Sequence, residues 1–275
     1  MGEPRTGRLN RVVYATDRAT LWHGEALAVL AAMPDATVDA VITDPPYSSG
    51  GMVRGDRTQG VHAKYVNTDS VTGRALAGFS GDNRDQRGYG YWSALWLSEA
   101  RRVTAPGGAC VLFTDWRQLP TTTDALQAGG WVWRGIVPWH KPNGRRTQGR
   151  YANTCEYLVW GTNGPRPRDA SETLGGFFEA NALRERTHIT QKPLEVLRDV
   201  VRICPPGGVI LDPFTGSGTT GVAALIEGRR FVGVEQIAHH VTDAVARLTA
   251  AEMAPDPQRQ ATLLDVLPPI REESL

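Results

Sequence analysis

Residues 209–235 read VILDPFTGSGTTGVAALIEGRRFVGVE. An apolar strand ends at Asp212, a turn carrying Gly216 and Gly218 follows, a helix starts at Thr219 or Thr220, and a second strand ends at Glu235. Glycines in such a turn let the backbone come close to a ligand, and the free N–H groups of the helix start attract a carboxylate or phosphate. A carboxylate closing the next strand can accept both hydroxyls of a ribose. No Gly-Lys-Ser or Gly-Lys-Thr follows the glycines, which argues against a P-loop.

The rest of the chain keeps the same rhythm of short β-branched runs and helical patterns, the signature of an α/β sheet. Strands are predicted at 20–24, 38–44, 109–115, 208–212 and 231–235, and helices at 25–33, 91–103, 192–204 and 219–228. The runs 131–139 and 155–161 pair as a hairpin. Residues 48–90, rich in Gly, Ser, Asn and Arg, read as a long loop, 162–187 as a second polar stretch, and 252–275 as a peripheral tail. A hydrophobic content of 41% suits one domain over 1–275, and no apolar run is long enough to span a bilayer. The N-terminal stretch lacks the apolar core of a secretory signal, which with the scattered cysteines Cys110, Cys155 and Cys204 predicts a reducing, cytoplasmic setting and no metal site. A net charge of +1 neither requires nor excludes a polyanionic partner, so charge distribution has to decide.

A second stretch, VITDPPYSSGG at 41–51, runs from an apolar strand into Asp44, Pro45, Pro46 and Tyr47. With DPFTGSGTT at 212–220 it resembles the S-adenosyl-L-methionine-dependent DNA amino-methyltransferases, which methylate an exocyclic amino group of a base. The acidic motif comes first and the glycine loop last, as in the permuted beta class. HGEAL (23–27), LSEARRVTAPGG (97–108) and HITQKPLEVL (188–197) resemble further segments of that family in the same order, from about Leu21 to Leu248. The resemblance implies a three-layer α/β/α fold around a mostly parallel seven-stranded sheet, with the 131–161 hairpin as its antiparallel edge.

It also implies roles. An adenine N6 lone pair is delocalised into the ring, and acceptors aimed at its two hydrogens favour the pyramidal, nucleophilic form in a dry site. Asp44 supplies one acceptor and the Pro45 carbonyl the other, the prolines fixing the backbone. Tyr47 stacks on the base, which must be flipped out of the duplex. Phe214, Gly216, Ser217, Gly218 and Thr219 line the cofactor loop, and Asp212 lies near the cofactor's amino acid part. Glu235 holds the ribose, Lys192 approaches the methionine carboxylate, and Glu25 or the backbone at Ala26 approaches the cofactor's adenine ring, with Glu25 standing where Asp is usual. DPPY is associated mainly with adenine N6 and SPPY more with cytosine N4; both amino groups suit the same acceptors.

For double-stranded DNA, the segment 134–150 carries Arg134, Lys141, Arg145, Arg146 and Arg150 without an acidic residue, and the 48–90 loop adds Arg54, Arg57, Lys64, Arg84 and Arg87. The polar stretch 162–187 stands where the class places its target-recognition segment. Many relatives pair as homodimers, and the tryptophans Trp92, Trp96, Trp131 and Trp133 suit the core more than a partner surface. Two rivals remain. A protein-glutamine or RNA methyltransferase normally carries NPPY after the cofactor loop, and a silent DNA-binding relative is expected to lose Asp44 or the glycines.

Overall fold

In a computed structural model, residues 10–47, 84–144, 146, 148–149, 151–167, 172–181 and 192–253 are described. Strands β1 (Arg11–Ala15) and β2 (Ala19–His23), helix α1 (Ala26–Ala32) and strand β3 (Val38–Thr43) come first. Next are α2 (Gln86–Val103), β4 (Thr104–Thr114), α3 (Leu119–Ala128), β5 (Val132–His140), β6 (Cys155–Thr162) and the short β7 (Phe178–Glu179). The chain then forms α4 (Leu194–Val201), β8 (Val209–Asp212), α5 (Thr219–Ile226), β9 (Arg230–Glu235) and α6 (Ala238–Met253).

The strands form one nine-stranded sheet in the order β1-β2-β9-β8-β3-β4-β6-β5-β7. Its centre, β2-β9-β8-β3-β4, is parallel throughout, whereas β6 runs antiparallel to both β4 and β5. Where seven strands are predicted, the described residues form nine. An N-terminal strand pairs antiparallel with β2, and β7 adds to β5, so the 131–161 hairpin is not quite the edge. The predicted loop 48–90 is also shorter at its far end. Asp85 accepts a hydrogen bond from Gly88 N at 2.8 Å and caps a helix beginning at Gln86. At the other extreme, α6 runs to Met253, past the expected start of the tail at 252.

Side chains on the central strands alternate between two apolar clusters, as the period of a strand buried on both faces requires. Ala40, Ile42, Val111, Phe113, Ile210 and Phe231 face the cluster built by α4, α5 and α6. Val41, Cys110, Leu112 and Leu211 face the one built by α1, α2 and α3. Cys110 and Cys204 are buried and Cys155 is partly buried; Trp96 and Trp131 are core residues, as expected, although Trp133 is 42% exposed. Every residue of α5 is buried. Its approach to the sheet depends on Gly221, where a Cβ would stand 2.7 Å from the Phe231 ring and from Leu248 Cδ2. Gly221→Ala therefore overpacks this contact and is expected to lower stability by about 1–3 kcal/mol, read as a fall in denaturation midpoint at unchanged m-value.

Candidate functional site

β3 and β8 lie side by side and parallel, with Ala40 opposite Ile210 and Val41 opposite Leu211. Their carboxyl ends deliver the two motifs to one place: β3 stops at Thr43 before Asp44-Pro45-Pro46-Tyr47, and β8 stops at Asp212 before the glycine turn. Thr43 Oγ1 donates to Asp212 Oδ1 at 2.6 Å, joining segments 169 positions apart in the chain. Ligands of open α/β sheets bind outside such strand ends.

On the glycine side, Gly218 takes φ +85°, the left-handed conformation open to glycine, and serves as the N-cap of α5. A Cβ on Gly216 would meet nothing within 4 Å, so the turn borders open space. Glu235, at the end of β9, receives the Gly216 N–H on Oε2 at 2.8 Å and the Ile237 N–H on Oε1 at 2.7 Å. Burial pushes its carboxyl upward, but His240 and these two N–H groups outweigh that and hold it below the usual carboxylate range. Phe214 sits against Trp96 (ring centroids 5.0 Å apart, edge-on) and Trp92 (5.3 Å), and the Arg84 guanidinium lies 4.1 Å over Trp92. From α6, Arg247 Nη1 donates to Ser217 O, Ser217 Oγ and Thr219 Oγ1, each at 2.9 Å, fastening the turn from behind. Gly24 N donates to Glu235 O at 2.9 Å, so Glu25 and Ala26 also reach this edge. Glu25, however, spends a carboxylate oxygen capping α1 through Ala28 N at 2.8 Å.

Asp212 is 2% exposed. Burial raises its carboxyl to about 6, against the hydrogen bonds of Thr43, Thr220 and Phe214 N. Since the folded state holds this proton more tightly than the unfolded chain does, protonation favours the fold at low pH, and that stabilisation is lost as pH rises from about 4 to 6. Asp212→Asn removes the cost of a buried charge, so its denaturation midpoint should exceed the parent's at pH 8 and the difference should vanish near pH 4; equal midpoints at pH 8 would refute the shift.

On the other side stands a buried chain of charges. Lys192 Nζ donates to Asp44 Oδ2 at 2.6 Å and to the Tyr47 hydroxyl at 2.7 Å, and the Tyr47 hydroxyl donates to Asp44 Oδ1. The same ammonium is 3.4 Å from Glu156 Oε2, whose other oxygen accepts from Lys141 Nζ at 2.8 Å. Burial alone would discharge Lys192, but Asp44 and Glu156 outweigh it and raise its pKa. Burial raises Asp44 above the ordinary carboxylate range in spite of Lys192. Burial also pushes Glu156 upward, yet Lys192 and Lys141 hold it below the usual value. Lys192, expected near the methionine carboxylate of the cofactor, is bonded to the acidic motif. Lys141, expected on a DNA-facing strip, turns inward to Glu156. Arg134 is held by Thr162 Oγ1 at 3.0 Å and Gly164 O at 3.3 Å, while Arg146 is exposed. Arg54, Arg57, Lys64, Arg145 and Arg150 lie outside the described residues.

Glu156 and Arg247 carried no expectation from the sequence. Antiparallel β6 starts where parallel β4 ends, which brings Glu156 to the carboxyl edge. A lone acid opening the run EYLVW was the only local signal.

An acidic motif and a glycine turn thus meet at the carboxyl ends of neighbouring parallel strands of an α/β sheet. A model of the N6/N4 DNA methylase family matches residues 38–246, and the chain belongs to that family. It is 26% identical over 285 aligned residues to the type II methyltransferase M.ScaI of Streptomyces caespitosus, covering 88% of this chain and 85% of that protein. The fold matches that of the cytosine-N4-specific PvuII DNA methyltransferase with a TM-score of 0.65 at 14% identity, over 93% of this chain and 94% of the other. It also matches the M1.HpyAVI–SAM complex with a TM-score of 0.56 at 21% identity, over 84% and 98%. No helix among the described residues is long and apolar enough to cross a membrane.

Proposed function

We propose that this DNA methyltransferase uses S-adenosyl-L-methionine to methylate the N6 amino group of an adenine flipped out of duplex DNA, as a member of the permuted beta class. The observation that carries the reading is the Asp44 carboxylate at the end of β3, beside the glycine turn that follows β8. The residues suit the cofactor. Glu235 offers a carboxylate at the end of β9, the turn borders open space at Gly216, and Phe214 presents an aromatic wall. When bound, the cofactor supplies an electrophilic methyl group on a sulfonium. Glu235 holds its ribose, Phe214, Gly216, Ser217, Gly218 and Thr219 line it, Asp212 stands by its amino acid part, and the chain at Glu25 and Ala26 reaches its adenine ring.

This chain's own residues activate the amine. Asp44 and the Pro45 carbonyl accept its hydrogens, drawing the nitrogen lone pair out of conjugation, while the Pro45-Pro46 backbone adds no competing N–H. Tyr47, its hydroxyl tethered to Asp44 and Lys192, presents its ring to the flipped base. Adenine is favoured by the DPPY sequence. Arg146 with Arg145 and Arg150, and the stretch containing Arg54 and Arg57, contribute phosphate contacts, and a homodimer is the expected assembly. Labelled methyl transfer to unmethylated duplex DNA, followed by identification of the modified base, tests the reading. N6-methyladenine supports it, N4-methylcytosine replaces the target, and label on RNA or protein, or none at all, overturns it.

A further inference from the structure

Both oxygens of the Asp44 carboxylate are already engaged, Oδ1 by the Tyr47 hydroxyl and Oδ2 by Lys192 Nζ. A target amine that is to donate to this carboxylate has to share or displace a donor. Displacing Lys192 alone is costly, because breaking a buried ion pair strands a charge. The ammonium nevertheless has a second seat within reach. Glu156 Oε2, 3.4 Å from Lys192 Nζ, is buried and accepts no hydrogen bond among the described residues. We propose that Glu156 is a positioning residue: it takes Lys192 over from Asp44 as the target base enters, which opens Asp44 Oδ2 to the amine. The inference rests on the reading of Asp44 as the amine acceptor.

The surroundings favour such a transfer. Lys192 is only 8% exposed in its side chain, so water is a poor substitute partner. Its ammonium lies 5.3 Å from the Tyr47 ring centroid and 5.4 Å from that of Phe113, aromatic faces that continue to attract a cation as it shifts. Lys141, bonded to the other oxygen of Glu156, makes the row Lys141–Glu156–Lys192–Asp44 alternate in sign, so the exchange leaves its net charge unchanged. Among the described residues, the other ionisable groups that act on this cluster, Asp115 beyond β4, Asp212 on β8 and Tyr89 on α2, are acidic, so none of them competes with Lys192 for the free oxygen of Glu156.

The test is single-turnover methylation of unmethylated plasmid DNA by the full chain across pH. Glu156→Gln keeps the shape and removes the charge. Its plateau rate should fall at least about tenfold with cofactor affinity close to the parent's, while its denaturation midpoint falls because Lys141 loses its carboxylate partner. Glu156→Asp, which keeps the charge but withdraws the seat, should also lower the plateau, leave the acid limb in place and provide a folded variant if the first is unstable. In a Lys192→Met background, adding Glu156→Gln should change the plateau less than about twofold, because the two act as one unit. An unchanged plateau with only the acid limb displaced would make Glu156 a distant charge and overturn the proposal. Losses of rate, affinity and midpoint together in both Glu156 variants would make it a packing residue and overturn it equally. A parent chain inactive on the DNA sinks the methyl-transfer reading and this one with it; an active parent with an equally active Glu156→Gln sinks this one alone.

Discussion

Asp44→Ala is expected to lower the rate of methyl transfer to DNA by roughly a hundredfold to ten-thousandfold while cofactor binding persists. The carboxylate follows β3, the strand paired with β8, and it is also the partner of a buried ammonium at 2.6 Å. Its removal would therefore delete the proposed pull on the amine and leave Lys192 to Glu156 and the Tyr47 hydroxyl. Asp44→Asn separates the two effects, since it keeps an oxygen acceptor and the shape of the side chain without the charge. Its rate should lie between those of parent and Ala variant. The parent's rate should decline as pH falls through the Asp44 pKa, which burial places above the ordinary carboxylate value of about 3.9, because the protonated form offers the amine one acceptor fewer. In the Asn variant that decline should disappear. A rate profile with the same acid limb in both proteins would remove Asp44 from the role.

Glu235→Ala is expected to weaken S-adenosyl-L-methionine binding by about tenfold to a hundredfold, measured by calorimetry without DNA. The carboxylate has two tasks on different oxygens. Oε1 fixes the start of the segment leading into α6 through Ile237 N, and Oε2 fixes the turn through Gly216 N. Both oxygens retain lone pairs, so the side chain that shapes the turn still has acceptors to offer the ribose in its proposed role. Glu235→Gln preserves a single acceptor and should lose less. Should the Ala variant bind the cofactor as well as the parent does, the ribose role falls.

The central layers were legible in the sequence because their physics is local. The buried runs of β3, β8 and β9 have no polar face to confuse the period, and the glycines and cap of α5 mark its start within a residue. Elsewhere the determinants are tertiary. β1 is only five residues long, half exposed, and gains its partner solely through the antiparallel register with β2. α3 opens with Pro120 and a run of threonines that favour strands on their own, and it is helical because Ala125 and Leu126 find the cluster under α2. α6 carries buried His240, Val241, Ala244, Leu248 and Ala251 at helical spacing, a pattern present in the sequence but passed over beside the proline-dotted tail. The acidic motif and glycine turn were readable as a pair, since each is a short motif at a strand end. The partner of Asp44 was not. Lys192 stands 148 positions away, and only the insertion of β8 next to β3, with antiparallel β6 beyond β4, gathers Lys192 and Glu156 around one carboxylate.

The hydroxyls of Tyr14 and Thr16 donate to the two oxygens of Glu252, at 2.8 and 2.6 Å, bringing the first hairpin against the last helix. A polypeptide joined there by a short peptide bridge and cut open between residues 47 and 84 would preserve every contact of the sheet described above, while its ribosomal order would run from the glycine turn to the acidic motif. The order of the two motifs along the chain is thus a matter of where the backbone is severed, and the strand pairing that brings them together does not depend on it.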